Sequence, residues 1–146
     1  MKNLIILITL LIFTTACKST LTIVESTEQE IISGKASTEN YSRYVFEIKN
    51  NSKNEIQIKD VLIKKGEKFY SIKFDIMDIS ETSTKQSVGA KETVHIVGNY
   101  KNNSAVKPLT TEYTGAAVII YSYGGNKKSL VISEITTKEP ERKRGR

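Results

Sequence analysis

The chain of 146 residues has one cysteine, one histidine and no tryptophan. A lone cysteine excludes an intramolecular disulfide and any zinc cluster built from several cysteines. A lone histidine excludes a histidine-rich metal site. Only two prolines occur, Pro108 and Pro140, beside eight glycines, so the chain is neither collagen-like nor a low-complexity linker. No apolar run reaches the ~20 residues that a membrane-crossing helix needs. There is no Gly-x-Ser-x-Gly nucleophile elbow, no phosphate-cradling glycine loop and no Asp-x-Asp-x-Asp-Gly calcium loop. What remains is ordinary: 38% hydrophobic and 26% charged residues, in a length that suits one domain.

The most specific signal stands at the start. Met1, Lys2 and Asn3 precede an apolar run from Leu4 to Phe13, followed by Thr14, Thr15, Ala16 and Cys17. A basic start, a short apolar core and a small residue before the cleavage point are the marks of an export signal. A single cysteine is most often a buried thiol, but this one directly follows the signal-like core.

That segment resembles a bacterial lipoprotein signal peptide. Ala16 and Cys17 match the last two positions of its lipobox, Thr15 suits the position before them, and Thr14 stands where leucine is usual. Relaxed boxes of this kind resemble those of Bacteroidetes-type bacteria. The resemblance implies cleavage after residue 16, lipidation of Cys17 and a short tether over 17–20. It implies three acyl chains, and two already hold a protein stably on a bilayer. Lys18 is not the aspartate that resembles an inner-membrane retention signal. The residues after Cys17 lack the acids that are often found on surface-exported relatives. Both features point to the outer membrane, facing the periplasm.

The net charge of +6 is unevenly spread. Residues 138–146 hold five basic and two acidic side chains, whereas residues 18–137 hold 16 basic and 14 acidic ones. Proline and charge lead us to expect a disordered tail over 138–146, solvated or drawn to anionic lipid headgroups. An exported protein seldom meets nucleic acid, so no nucleic-acid partner is expected.

Between leader and tail the periodicity is two, the mark of strands. Tyr44, Phe46 and Ile48 alternate with Arg43, Glu47 and Lys49. Tyr70, Ile72, Phe74 and Ile76 alternate with Ser71, Lys73 and Asp75. Val94 and Ile96 share a parity. Ile56 and Ile58 are out of step with Val61 and Ile63, which a bulge near Lys59 or Asp60 reconciles. Ala116 to Tyr123 is apolar on both parities and reads as a central strand. Leu130 to Ile135 reads as the last strand and Leu21 to Val24 as the first, with a continuation at Ile31 and Ile32. Turns fall at Asn50–Asn54, Lys65–Glu67, Gly89–Glu92 and Gly124–Asn126. Longer loops are expected at Met77–Ser87 and Lys101–Glu112. About seven or eight strands over 21–137 fit an all-β, antiparallel two-sheet sandwich of immunoglobulin type. A small barrel or jelly roll is the alternative.

Chemistry is sparse. His95 has no histidine partner and reads as a solvent-facing strand residue. Asp75, Asp78 and Glu81 form the densest acidic stretch and could serve glycoside hydrolysis, although strand-end charges explain them as well. Tyr41, Tyr44, Tyr113, Tyr121 and Tyr123 could form an aromatic binding surface, although strands favour tyrosine in any case. No cofactor and no metal are expected. The expected function is a non-enzymatic, membrane-anchored sandwich that binds a protein or envelope component. The alternatives are an immunity or inhibitor lipoprotein, a small envelope hydrolase using Asp75 and Asp78, and a passive subunit of an envelope assembly.

Overall fold

The computed structural model describes residues 19–35, 39–102 and 113–144. The leader, Cys17 and most of the expected loop at Lys101–Glu112 lie outside the described residues. The strands are β1 (Leu21–Ile32), β2 (Tyr41–Asn50), β3 (Gln57–Lys65), β4 (Lys68–Ser71), β5 (Phe74–Met77), β6 (Thr84–Lys85), β7 (Thr93–Tyr100), β8 (Ala117–Tyr123), β9 (Asn126–Ile132) and β10 (Thr136–Arg142). One sheet has the order β10-β1-β2-β7-β5-β6 and the other β4-β3-β8-β9. The run β1-β2-β7-β5 facing β3-β8-β9 reproduces the ABED and CFG sheets of an immunoglobulin sandwich. β4 lies beyond β3 on the second sheet, and β10 lies beyond β1 on the first.

The inner faces follow from the alternation. Tyr44, Phe46 and Ile48 from β2 and Val94 and Ile96 from β7 meet Val61, Ile63, Ala117 and Ile119 from the second sheet. Phe46, Ile48, Ile96 and Ile119 are fully buried, each contributing about 1.5–3 kcal/mol by the removal of apolar surface from water. The expected bulge is present: the register of β3 against β8 shifts between Ile58 and Asp60. Ala117 to Tyr121 is buried throughout, as a strand apolar on both parities requires. Its outer side carries a second cluster of Leu62, Phe69, Val118 and Ile120. Gly124 and Gly125, at φ 57° and 77°, form the two-residue reversal between β8 and β9. Both centres of such a turn need positive φ, which glycine adopts without a Cβ clash.

The expected continuation of Leu21–Val24 to Ile31–Ile32 is present as one strand, paired with β2 along almost its whole length. Two other expectations change. The regular run Tyr70–Ile76 is not one strand but two: β4 belongs to the second sheet and β5 to the first, with Ile72 and Lys73 crossing between them. The alternation survives because both halves turn the same parity inward. The crossing passes over Gly98 of β7, where a Cβ would lie 2.6 Å from Ile72 Cδ1 and 3.0 Å from the Lys73 carbonyl oxygen. Only glycine lets the two backbones approach so closely.

The second change is the tail. Residues 136–142 are not disordered; they form β10, parallel to β1. Gln29 Nε2 donates to the Glu139 carbonyl at 2.9 Å, Ser26 Oγ to that of Glu134 at 2.7 Å, and Lys143 N to that of Ile32 at 3.0 Å. Every residue of β10 is exposed, so it carries no apolar periodicity to read. Pro140 sits in this edge strand where the register shifts past Gln29, a position that tolerates the missing N–H.

Candidate functional site

On β2, Arg43, Val45 and Glu47 have the parity opposite to the buried Tyr44, Phe46 and Ile48, so they point away from the core. The pairing sets Arg43 beside Gln29, Val45 beside Thr27, and Glu47 beside Glu25 on one side and His95 on the other. These side chains line a cavity of about 180 Å³ on the outer face of the six-stranded sheet, with Lys138 of β10 at one side and Ile79 and Glu81 at the other.

The loop over residues 78–83 closes that cavity and is held by Asp78. The Asp78 carboxylate accepts from Ser80 Oγ at 2.7 Å, Thr82 N at 2.8 Å, Thr82 Oγ1 at 2.9 Å and Ser83 N at 3.2 Å. The Ser80 hydroxyl and the Ser83 amide hold the Asp78 carboxyl well below the usual range. This turn puts Glu81 at φ 56°, a left-handed conformation in which a non-glycine residue stores strain. Its carboxylate there bridges Arg43 Nη2 and His95 Nδ1, the latter at 3.0 Å. His95 Nε2 lies 3.4 Å from Glu47. Partial burial raises the Glu81 pKa, but the hydrogen bonds and charges of His95 and Arg43 outweigh it and the net shift is downward.

Both ring nitrogens of His95 thus face carboxylates, Nδ1 within hydrogen-bond reach of Glu81 and Nε2 farther from Glu47. The arrangement presents positive and negative groups around a small recess, which suits complementary polar recognition. His95 faces outward as its parity implies, but the loop covers it to 15% side-chain exposure. Arg43, Glu47, Gln29 and Lys138 were not singled out from the sequence. The parity of Arg43 and Glu47 was visible; their neighbours depend on register and on β10.

The acidic stretch does not converge on one site. Asp78 is saturated by its own loop, Glu81 is paired, and Asp75 lines a separate open groove of about 950 Å³ with Ile72, Phe74 and Tyr100. The five tyrosines do not form one surface either. Tyr44 and Tyr121 are buried in the core, because they share parity with its apolar residues. Burial, followed by the Glu28 carboxylate that accepts its hydroxyl at 2.7 Å, pushes the Tyr44 pKa up. Tyr123 packs at the core's edge under Lys128 Nζ, 5.2 Å from the ring centre. Tyr113 stacks edge-on against Phe69 on the opposite outer face, with ring centres 6.0 Å apart. Tyr41 sits at a rim, where its hydroxyl accepts from Lys143 Nζ at 2.9 Å. Cys17 lies outside the described residues. Among those residues, no group of three or more His, Cys, Asp or Glu side chains is placed to hold a metal ion.

No protein-family model matches this chain, and no curated protein sequence does.

Proposed function

We propose that this is a non-enzymatic lipoprotein, anchored through Cys17 at the outer membrane facing the periplasm, whose immunoglobulin-like sandwich binds a protein or envelope component. The binding surface is the outer face of the six-stranded sheet. The observation that carries the reading is the recess at Arg43, Glu47, Glu81 and His95, where charges of both signs are held by a strained loop instead of spread over the surface. Strain of this kind is concentrated at ligand clamps and switch regions. The anchor is supported by the apolar run that ends shortly before Cys17 and by the start of β1 only four positions after that residue.

Two measurements test this. Metabolic palmitate labelling should mark the wild type and not Cys17→Ser; labelling of the serine variant would remove the anchor. A detergent pull-down from envelopes should recover a partner with the wild type and lose it with Glu25→Lys/Lys138→Glu, which reverses two exposed charges at the recess. Equal recovery with both would move the binding surface elsewhere.

A further inference from the structure

The sandwich has two ends, and the sequence between Cys17 and β1 decides which one meets the bilayer. Ser19 and Thr20 are fastened to the end that carries the β2–β3 turn: Asn51 N donates to the Thr20 carbonyl at 2.9 Å, and Asn51 Nδ2 to that of Ser19 at 3.0 Å. Asn50, fully buried, ties the same turn to the segment before β7. Its Nδ2 donates to the carbonyls of Asn54 at 2.7 Å and Gly89 at 2.9 Å, and its backbone N to that of Glu92 at 2.9 Å. Lys91 N donates to the Ser52 carbonyl at 3.2 Å. The β8–β9 hairpin reaches the same end, since Gln57, the first residue of β3, pairs with Ser122.

This end is rich in exposed lysine: Lys53 and Lys91 on two of the turns, Lys127 and Lys128 on the hairpin. The acids there are Glu55, which is exposed, and Glu92, which is paired with Lys85. We propose that these lysines form a basic apron that docks the base of the domain on anionic phospholipid headgroups. The orientation rests on the reading of Cys17 as the anchor; the headgroup binding itself does not. Cys17 and Leu21, the first residue of β1, are four steps apart, at most ~14 Å at about 3.3–3.6 Å per step. That is under two of the ~8 Å Debye lengths of physiological salt, so part of the headgroup field reaches across the gap.

The basic tail is excluded from this contact. β10 runs parallel to β1, and Arg142 pairs with Ile32 at the far end of that strand. Twelve residues of β1, at about 3.3 Å per step, place Arg142, Lys143 and Arg144 roughly 36 Å from the tether. Several Debye lengths screen them from the same bilayer. The headgroup role expected of the tail passes to the turns at the opposite end.

The test uses the chain from Lys18 onward, which contains every described strand. It is mixed with vesicles of pure phosphatidylcholine or of phosphatidylcholine with phosphatidylglycerol, at low salt. Sedimentation should show binding to the anionic vesicles only. Lys53→Glu/Lys127→Glu/Lys128→Glu, all at exposed positions, should weaken it by roughly 100-fold, at about five-fold or more per lysine, with an unchanged melting temperature. Arg142→Glu/Lys143→Glu/Arg144→Glu also removes charge from the lipid-free chain, so the second readout is decisive for orientation. The mature protein lipidated at Cys17, in anionic vesicles, should show slowed amide exchange at residues 51–54 and 124–126, and none at 142–144. Equal binding to both vesicle types, no binding to either, or loss with the tail variant alone would overturn the proposal. Failure of palmitate labelling together with retained anionic-vesicle binding would remove the anchor and leave the apron.

Discussion

The two outer faces of this sandwich are built on opposite principles. The four-stranded sheet turns Leu62, Phe69, Val118 and Ile120 outward into a second apolar cluster. The six-stranded sheet turns Arg43, Glu47, His95 and Gln29 outward around a recess. The inner faces are alike, so the hydrophobic drive that closes the sandwich is shared. The outer faces differ in what they add: one adds stability through packing, the other holds charge in a defined geometry at little gain in stability. Exposed ion pairs contribute about 0–1 kcal/mol, so the charged face adds little stability, which is why we propose it as the recognition surface.

Substitutions can break that contrast. The largest effect should come from Val118→Asp, which places a charge in the apolar outer cluster. It should cost about 4 kcal/mol, read as a fall in the urea midpoint. Its counterpart on the charged face, Val45→Asp, should cost about 1 kcal/mol. Equal losses would erase the distinction. Next comes Phe69→Ala, which should cost about 3 kcal/mol and release Tyr113 from its edge contact, seen in tyrosine fluorescence. Gly98→Ala should cost about 1–3 kcal/mol because the new methyl meets Ile72 and the Lys73 backbone.

The smallest effect is the most diagnostic of the recess. The Glu81 pKa is lowered from a starting value of 4.5 by His95 and Arg43 working against burial. A lowered folded-state pKa stabilises above the unfolded value, and the gain is lost as pH falls through the folded value. The wild type should therefore exceed Glu81→Gln in stability by under about 1 kcal/mol at pH 6. That margin should shrink as the pH falls below about 4.5. A margin that grows on acidification would contradict the ion-pair geometry, as thermal melts across that range would show.

Much of this was legible in the residues. Period-two alternation marks β2, β3 and β7, an unbroken apolar run marks β8, and the parity break at Ile58 and Val61 locates the bulge. The glycine pair located the β8–β9 hairpin. The rest was hidden for several physical reasons, the first being that alternation reports which side of a strand is buried and not which sheet it joins. Tyr70–Ile76 kept its parity while changing sheets. β10 buries nothing, so backbone pairing created a strand where composition suggested none. Glu81 reaches His95 only because Asp78 folds its loop back, and that turn lies in hydrogen bonds and not in any pattern of apolar residues. The tyrosines misled because an amphipathic ring is as much at home in a core as on a surface.

We propose the charged outer face, and not the apolar one, as the face that meets a partner. A photo-crosslinking residue placed at Gln29, beside the recess, and another at Gln57, exposed on the outer side of the four-stranded sheet, would test it in intact envelopes. A discrete cross-linked product is expected from position 29, abolished by Glu25→Lys/Lys138→Glu, and none from position 57. The same product from position 57, with none from position 29, would contradict it.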